Sequence, residues 1–442
     1  MKQKSRRPAP AENPGSAART VAATLLSGVL DRHQPLDALI DSDAAFARLP
    51  DRDRRLARAI VSTTLRRHGE IWALLDRLIE KRPPRSRDFF HTLEVATAQI
   101  LFMGVADHAA VSIAIDTISA DPKARHLKGL ANAVLRRIAR EKEALVAYLD
   151  SARLDAPEWL WNRWTATYGE DTARAIAEAH LSEPPLDLTV KEDAAGWAER
   201  LGGTLTATGS VRLVDAGPVE ALEGFADGVW WVQDAAAALP ARLLGDLSGQ
   251  RVADLCAAPG GKTAQLASAG AMVTAVDISA KRLQRVAANL ERLKLGAETV
   301  AADILTFEPA EPFDAALLDA PCSATGTIRR HPDVGWLKQP EDIAKLADLQ
   351  GRMIAKAATL LKPGGRLVYC TCSLEPEEGE NRVAAATGDG ALALDPVAPG
   401  ELPGIAAALT PAGTLRTLPC HDAGDGVPPG MDGFFVARFR RV

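Results

Sequence analysis

The sequence predicts a mixed α/β protein. Its C-terminal half reads as a Rossmann-like parallel sheet with helices on both faces, preceded by an all-helical domain and a small α+β bridge. Three observations predict this. From Arg251 onward, short apolar runs alternate with helical stretches, the pattern of strand–helix–strand units. Successive runs in that half end in an acid, at Asp277, Asp303 and Asp319. Before about residue 150, apolar residues recur only at helical spacing.

The bulk properties narrow the class. With 442 residues, roughly two or three domains are expected. A hydrophobic fraction of 47% beside 25% charged residues is ordinary for a globular protein. No run of about 18 apolar residues exists, so no membrane span is expected. Met1–Pro8 has no apolar core behind it, so no signal peptide is expected either. Five cysteines, three of them at strand ends, fit free thiols in a reducing, cytoplasmic setting. Cys370-Thr-Cys372 lacks zinc-site spacing and has no second pair, so no metal is expected. Residues 1–150 carry 25 Lys/Arg against 18 Asp/Glu, and residues 151–442 carry 27 against 39. A basic first third on an acidic body suggests a module for a polyanion, or only a charged, solvated surface.

Residues 1–16, rich in Lys, Arg, Pro and Ala, read as a disordered tail. Residues 17–150 read as the helical domain, with helical segments at Arg54–Arg66, Ile71–Ile79, Leu93–Phe102, Val111–Ile118 and Leu130–Ala139 and a loop at Lys81–Arg87. Arg136 and Arg137 sit on a helix whose other face is apolar, where they can hold phosphates or simply face solvent. Residues 151–235 form the bridge, with strands at Leu186–Val190 and Val211–Val214 around a helix, Ala194–Leu201. Trp159, Trp161 and Trp164 crowd one helical stretch; core packing is favoured there over stacking on bases.

Residues 236–442 form the Rossmann-like domain. Its strands are expected at Val252–Cys256, Met272–Val276, Thr299–Ala302, Ala315–Leu318, Leu367–Tyr369 and Gly433–Phe439, the last with period two. A long helix, Asp342–Leu361, is expected to stop at Lys362-Pro-Gly-Gly365. In such sheets ligands sit beyond the carboxyl ends of the strands. Two thiols stand there: Cys322, after Asp319-Ala-Pro, and Cys372, in Cys370-Thr-Cys-Ser373.

The turn Cys256-Ala257-Ala258-Pro259-Gly260-Gly261-Lys262-Thr263 marks a nucleotide-like ligand. A phosphate loop would need glycine where Cys256 stands, and the dinucleotide motif Gly-x-Gly-x-x-Gly is absent. Asp277 suits the two hydroxyls of a ribose and Asp303 an adenine amino group. Acids at three strand ends repel a triphosphate but suit a cation such as the sulfonium of S-adenosyl-L-methionine.

Four blocks then carry a resemblance: Asp254–Thr263; Leu318–Gly326 with Arg329-Arg-His-Pro-Asp333; Tyr369–Ser373 with Glu377-Glu-Gly-Glu-Asn381; and Asp432-Gly-Phe-Phe435. The chain resembles RNA (cytosine-5-)-methyltransferases of the RsmB/Fmu/Sun type. Residues 19–26 and Asn132–Arg137 resemble the NusB-like RNA-binding domain. Cys370 departs from the family, which usually has Ala or Ser there. The resemblance implies S-adenosylmethionine as cofactor, held by the turn residues with Asp277, Arg282, Asp303 and Asp319. It implies one cytosine of small-subunit rRNA as substrate, and a monomer is expected.

A thiolate adding at C6 of cytosine makes C5 nucleophilic enough to take a methyl group. Asp319 can serve the ring nitrogen N3, and Lys262 is carried over as an active-site polar residue. Chemistry alone leaves open whether Cys322 or Cys372 attacks. DNA cytosine methyltransferases use the Pro-Cys thiol; the RNA family implies Cys372 as nucleophile, with Cys322 helping release. An RNA-binding assembly factor with an inert methyltransferase fold is the contrasting reading.

Overall fold

The protein, seen as a computed structural model, is described for residues 15–442 apart from 82, 84–86, 389, 403 and 425. Most of the expected tail, residues 1–14, lies outside the described residues, as does most of the loop 81–87; Ser16 already opens the first helix, Ser16–Arg32. The chain forms two compact units. One runs to Glu158 and includes His331–Leu337; the other holds Trp159–Arg330 and Lys338–Val442.

The first unit is helical because its apolar residues keep helical spacing. The helix Asp51–Arg66 buries Ala57, Ile60, Val61 and Leu65, leaving its other face to arginines. One apolar cluster gathers Leu25, Leu26, Val29, Ile60 and Leu65; a second gathers Ile71, Leu74, Phe89, Leu93, Leu135 and Ile138. The unit extends past residue 150 because Ser151 Oγ donates to Glu70 Oε2 (2.6 Å) and Asp155 Oδ1 accepts from Glu70 N (3.0 Å). The segment 331–337 belongs to this unit through Asp333 Oδ2, which accepts from Leu36 N (2.9 Å), and Trp336 Nε1, which donates to Leu65 O (2.9 Å). Arg136 and Arg137 are exposed, and Arg137 pairs with Glu141 at 3.0 Å.

The second unit begins with a small antiparallel sheet of β1 (Leu186–Val190), β2 (Thr204–Leu205), β3 (Val211–Leu213) and β4 (Trp230–Val232), in the order β2-β3-β1-β4. Asp187 on β1 and Arg212 on β3 form a buried bidentate pair, 2.7 Å on each arm. Trp161 and Trp164 are buried and Trp159 partly so, so the first two are core and not a platform for bases.

The main sheet comprises β5 (Arg251–Leu255), β6 (Met272–Asp277), β7 (Glu298–Ala301), β8 (Phe313–Asp319), β9 (Leu361–Thr371), β10 (Leu392–Leu394), β11 (Leu415–Thr417) and β12 (Phe434–Arg441). Its order is β10-β12-β9-β8-β5-β6-β7, with β11 also on β12. The strands β5 to β9 pair in parallel, but β12 runs antiparallel to β9, β10 and β11. The sheet is therefore mixed, not parallel throughout. The period-two reading of β12 also misses that Phe434 to Phe439 are all buried, since both faces are covered. Lys362-Pro-Gly-Gly365 does not separate helix from strand as expected. The helix ends at Leu360, and the Gly/Pro stretch bulges within β9, between the pairs Leu361–Phe313 and Arg366–Ala315. A sheet of this order brings the carboxyl ends of β5, β6, β8 and β9 to one edge.

Candidate active site

The cofactor half is built at the ends of β5 and β6. After Leu255 the chain turns sharply: Cys256 takes a left-handed conformation (φ 65°), and Ala257 N donates to Val276 O at 3.0 Å. Gly260 has φ 100°, and a Cβ there would lie 3.0 Å from Val286 Cγ1, so glycine is needed on both counts. The helix Gly261–Ser268 starts directly after it. Under this turn Asp254 accepts from Thr263 Oγ1 at 2.5 Å. Burial pushes its carboxyl up to about 7. Burial, then the nearby carboxylates, pushes the Cys256 thiol up to about 12, so it stays a protonated thiol.

Asp277, at the end of β6, is buried. Its Oδ2 accepts from Ala258 N (3.2 Å) and its Oδ1 from Ser279 N (2.9 Å). Arg282 lies 3.4 Å from Asp277 and donates to Ala258 O at 2.8 Å, bracing the turn from the following helix. A carboxylate accepts about four hydrogen bonds, so two backbone donors leave Asp277 capacity for ribose hydroxyls. Asp303 stands two residues beyond β7, half-buried, with Oδ1 accepting from Leu305 N at 2.9 Å. The glycine turn, its free helix start and these carboxylates fit S-adenosylmethionine: acceptors for the ribose and adenine, and negative charge for a sulfonium.

The thiol half is built at the ends of β8 and β9. Asp319 Oδ2 accepts from Lys262 Nζ at 2.7 Å, and Asp319 Oδ1 lies 3.5 Å from Cys370 Sγ. Lys262 Nζ also stands 5.2 Å from the centre of the Phe434 ring. Burial alone would lower the pKa of Lys262; the charge of Asp319 and its hydrogen bond instead hold it above a lysine's ordinary value. Cys322 Sγ and Cys372 Sγ are 3.4 Å apart. Contact with Cys372, then burial, then the charge of Glu378 keep the Cys322 thiol well above its usual range. Burial does the same to Cys370. Backbone bonds lock the two segments: Ala320 N donates to Cys370 O and Gly326 N to Cys372 O, each at 3.0 Å.

The catalytic and cofactor-binding residues singled out from the sequence thus lie around this sheet edge, in two groups: Cys256–Gly261, Asp277, Arg282 and Asp303, and Asp319, Cys322 and Cys372, with Lys262 reaching from the first group into the second. Sequence reasoning missed two parts. Arg330 makes a bidentate pair with the fully buried Asp432, which Arg329 also approaches at 3.3 Å. The Glu378 carboxylate sits behind both cysteine segments, accepting from Ser323 and Ser373. The available signals were a serine directly after each cysteine and the presence of Arg330, Glu378 and Asp432 in the resemblance blocks; neither showed which side chains pair.

Fold and site together define a Rossmann-like methyltransferase with paired thiols, joined in one chain to a helical domain. A model described as 16S rRNA methyltransferase RsmB/F matches residues 241–440, and a NusB family model matches residues 16–140. The chain is 37% identical over 413 residues to the ribosomal RNA small subunit methyltransferase B of Klebsiella pneumoniae, covering 88% of this chain and 95% of that protein. It is 38% identical to the protein of the same name from Vibrio cholerae, covering 95% and 96%. A solved methyltransferase homologue from Pyrococcus horikoshii superposes with a TM-score of 0.54 at 29% identity, over 64% of this chain and 94% of that one. The chain belongs to the S-adenosylmethionine-dependent 16S rRNA methyltransferases of the RsmB/F family.

Proposed function

We propose that this chain methylates C5 of one cytosine in small-subunit rRNA, with Cys372 adding covalently to C6. The observation that carries the reading is the thiol pair, Cys322 and Cys372 at 3.4 Å, beside the Lys262–Asp319 ion pair at the same strand ends. C5 of cytosine is a weak nucleophile. Addition of a thiolate at C6 breaks the aromatic ring and gives C5 enamine character. Negative charge reaching N3 is met by the Lys262–Asp319 pair, where the ammonium supplies the donor and the carboxylate an acceptor for the exocyclic amine. Bound S-adenosylmethionine supplies the methyl group. Water takes the C5 proton, the electron pair of that C–H bond re-forms C5=C6, and the C6–S pair leaves with the Cys372 sulfur, which restores the ring. Cys322, held as a protonated thiol, stands where it can hand a proton to that departing sulfur.

The target base must be unpaired or flipped to reach this edge. The basic excess of residues 1–150 supports RNA binding by the helical unit, with an affinity that falls steeply as salt rises. The test is to incubate the purified chain with naked 16S rRNA and methyl-labelled S-adenosylmethionine, then digest to nucleosides for mass spectrometry. Label in 5-methylcytidine is expected. Label in another nucleoside contradicts the cytosine assignment, and no incorporation in any rRNA substrate favours an inert fold.

A further inference from the structure

We propose that Glu378 is the positioning residue that sets the distance between the two thiols, an inference that rests on the two-cysteine reading above. Its carboxylate is fully buried and gathers four donors from three separate parts of the chain. Oε1 accepts from Ser323 N (2.9 Å) and Gln350 Nε2 (3.0 Å). Oε2 accepts from Ser373 Oγ (2.5 Å) and from Ser323 Oγ. The two serine hydroxyls themselves lie 3.0 Å apart. Ser323 follows Cys322 and Ser373 follows Cys372, so one side chain ties both thiol-bearing segments. The Glu378 carbonyl is fixed in turn, accepting from Tyr369 Oη (2.7 Å) and Thr371 Oγ1 (3.2 Å) on the strand that leads to Cys372.

The site does not need Glu378 for contact with substrate, because its oxygens are filled by protein donors. It acts through the cysteines. The donor chemistry predicts a graded response. A backbone N–H and an amide N–H can only donate, so Oε1 must remain an oxygen. The two hydroxyls at Oε2 can reverse and accept, so a glutamine placed with its NH2 there keeps most of the cluster. Alanine removes all four carboxylate bonds, leaving only the contact between the two serine hydroxyls, and leaves buried donors unpaired.

The experiment reads thiol geometry without RNA. Diamide takes two electrons and two protons from a thiol pair, and peptide mapping quantifies the Cys322–Cys372 disulfide it leaves. That bond forms only when the sulfurs can meet in disulfide geometry. Glu378→Ala is expected to slow it by about tenfold or more, since a misplacement near 1 Å is worth about 100-fold in a positioned reaction. Removing the carboxylate charge would by itself favour the Cys322 thiolate and speed oxidation, so slowing reports position. Glu378→Gln is expected to restore most of the rate. In methylation, kcat should fall in the alanine variant while the KM for S-adenosylmethionine holds. Should Glu378→Ala not fold, the Ser323→Ala/Ser373→Ala double variant carries the same expectation. Wild-type disulfide kinetics in a folded alanine or double-serine variant would overturn the proposal. Slowed crosslinking together with a wild type that methylates no cytosine would retain Glu378 as the spacer and overturn the assigned reaction instead.

Discussion

The two halves of the active edge are held by different kinds of bonds. In the cofactor half, the ligand-facing carboxylates are fixed mainly by backbone N–H groups, Asp277 by Ala258 N and Ser279 N and Asp303 by Leu305 N, with Arg282 beside Asp277. In the thiol half, side chains hold side chains, most of them far apart in sequence: Lys262 to Asp319, Arg330 to Asp432, and Glu378 to Ser323 and Gln350, with Ser373 five residues before Glu378. A pocket that binds one invariant cofactor can be set by a strand and a turn. Two sulfurs that act in sequence on one base, as proposed for Cys372 and Cys322, would need their spacing enforced from several directions. Substitutions in the thiol half should therefore damage chemistry, and those in the cofactor half should damage affinity.

Outside the thiols themselves, the largest effect is expected at Lys262. Lys262→Met removes the donor from Asp319 and the cation beside the thiols, and kcat should fall by about 10²–10³, the usual consequence of losing one positioned donor in a transition state. Single-turnover kinetics, with cofactor affinity measured in parallel by calorimetry, separate the two halves. A Lys262→Met enzyme with wild-type kcat and weakened cofactor binding would move Lys262 into the cofactor half.

Asp277→Ala should do the reverse. Losing a charged acceptor for the ribose is worth roughly 1.5–3 kcal/mol, about 10- to 100-fold in the dissociation constant for S-adenosylmethionine. At saturating cofactor, kcat should stay within a few-fold. Unchanged affinity in calorimetry would remove the ribose assignment.

A smaller effect concerns stability. Asp254 titrates near 7 in the folded chain against an ordinary value of 3.8, because burial disfavours its charge and its Oδ1 has no hydrogen-bond partner among the described residues. The folded state therefore holds this proton to higher pH than the unfolded chain. Its contribution to stability is full at low pH and is lost as pH rises from about 4 to about 7. Asp254→Asn keeps the acceptor for Thr263 and removes the titration. Urea unfolding at pH 5 and pH 8 should show the variant losing about 2 kcal/mol less than the wild type between those values. Parallel losses in the two proteins would contradict the raised carboxyl.

The same contrast decides what the sequence disclosed. The cofactor half was legible because its parts come from one strand–turn–helix–strand unit, β5 to Asp277, and the pattern itself implies the geometry. Asp319, Cys322 and Cys372 were legible as strand ends. Their partners were not. Ser323 and Glu378 are 55 residues apart and Arg330 and Asp432 are 102 apart, and no spacing rule connects side chains at such separations. Likewise β12 could be read as a strand from Gly433 to Phe439, but its antiparallel place between β9 and β10 depends on which neighbours cover it. The bulge in β9 was hidden for a related reason. Proline and two glycines ordinarily end an element, and only the pairing of Leu361 with Phe313 shows that this strand had already begun.

The most direct test of the central claim, that Cys372 attacks and Cys322 assists release, is denaturing electrophoresis of single-cysteine variants incubated with rRNA and S-adenosylmethionine. Cys322→Ala should accumulate a protein–RNA adduct that survives denaturation, because attack and methylation proceed while release fails. Cys372→Ala should show neither adduct nor methylation, and the Cys370→Ala control should remain active. An adduct trapped in Cys372→Ala, with Cys322→Ala unable to form one, would contradict the account and assign the nucleophile to Cys322.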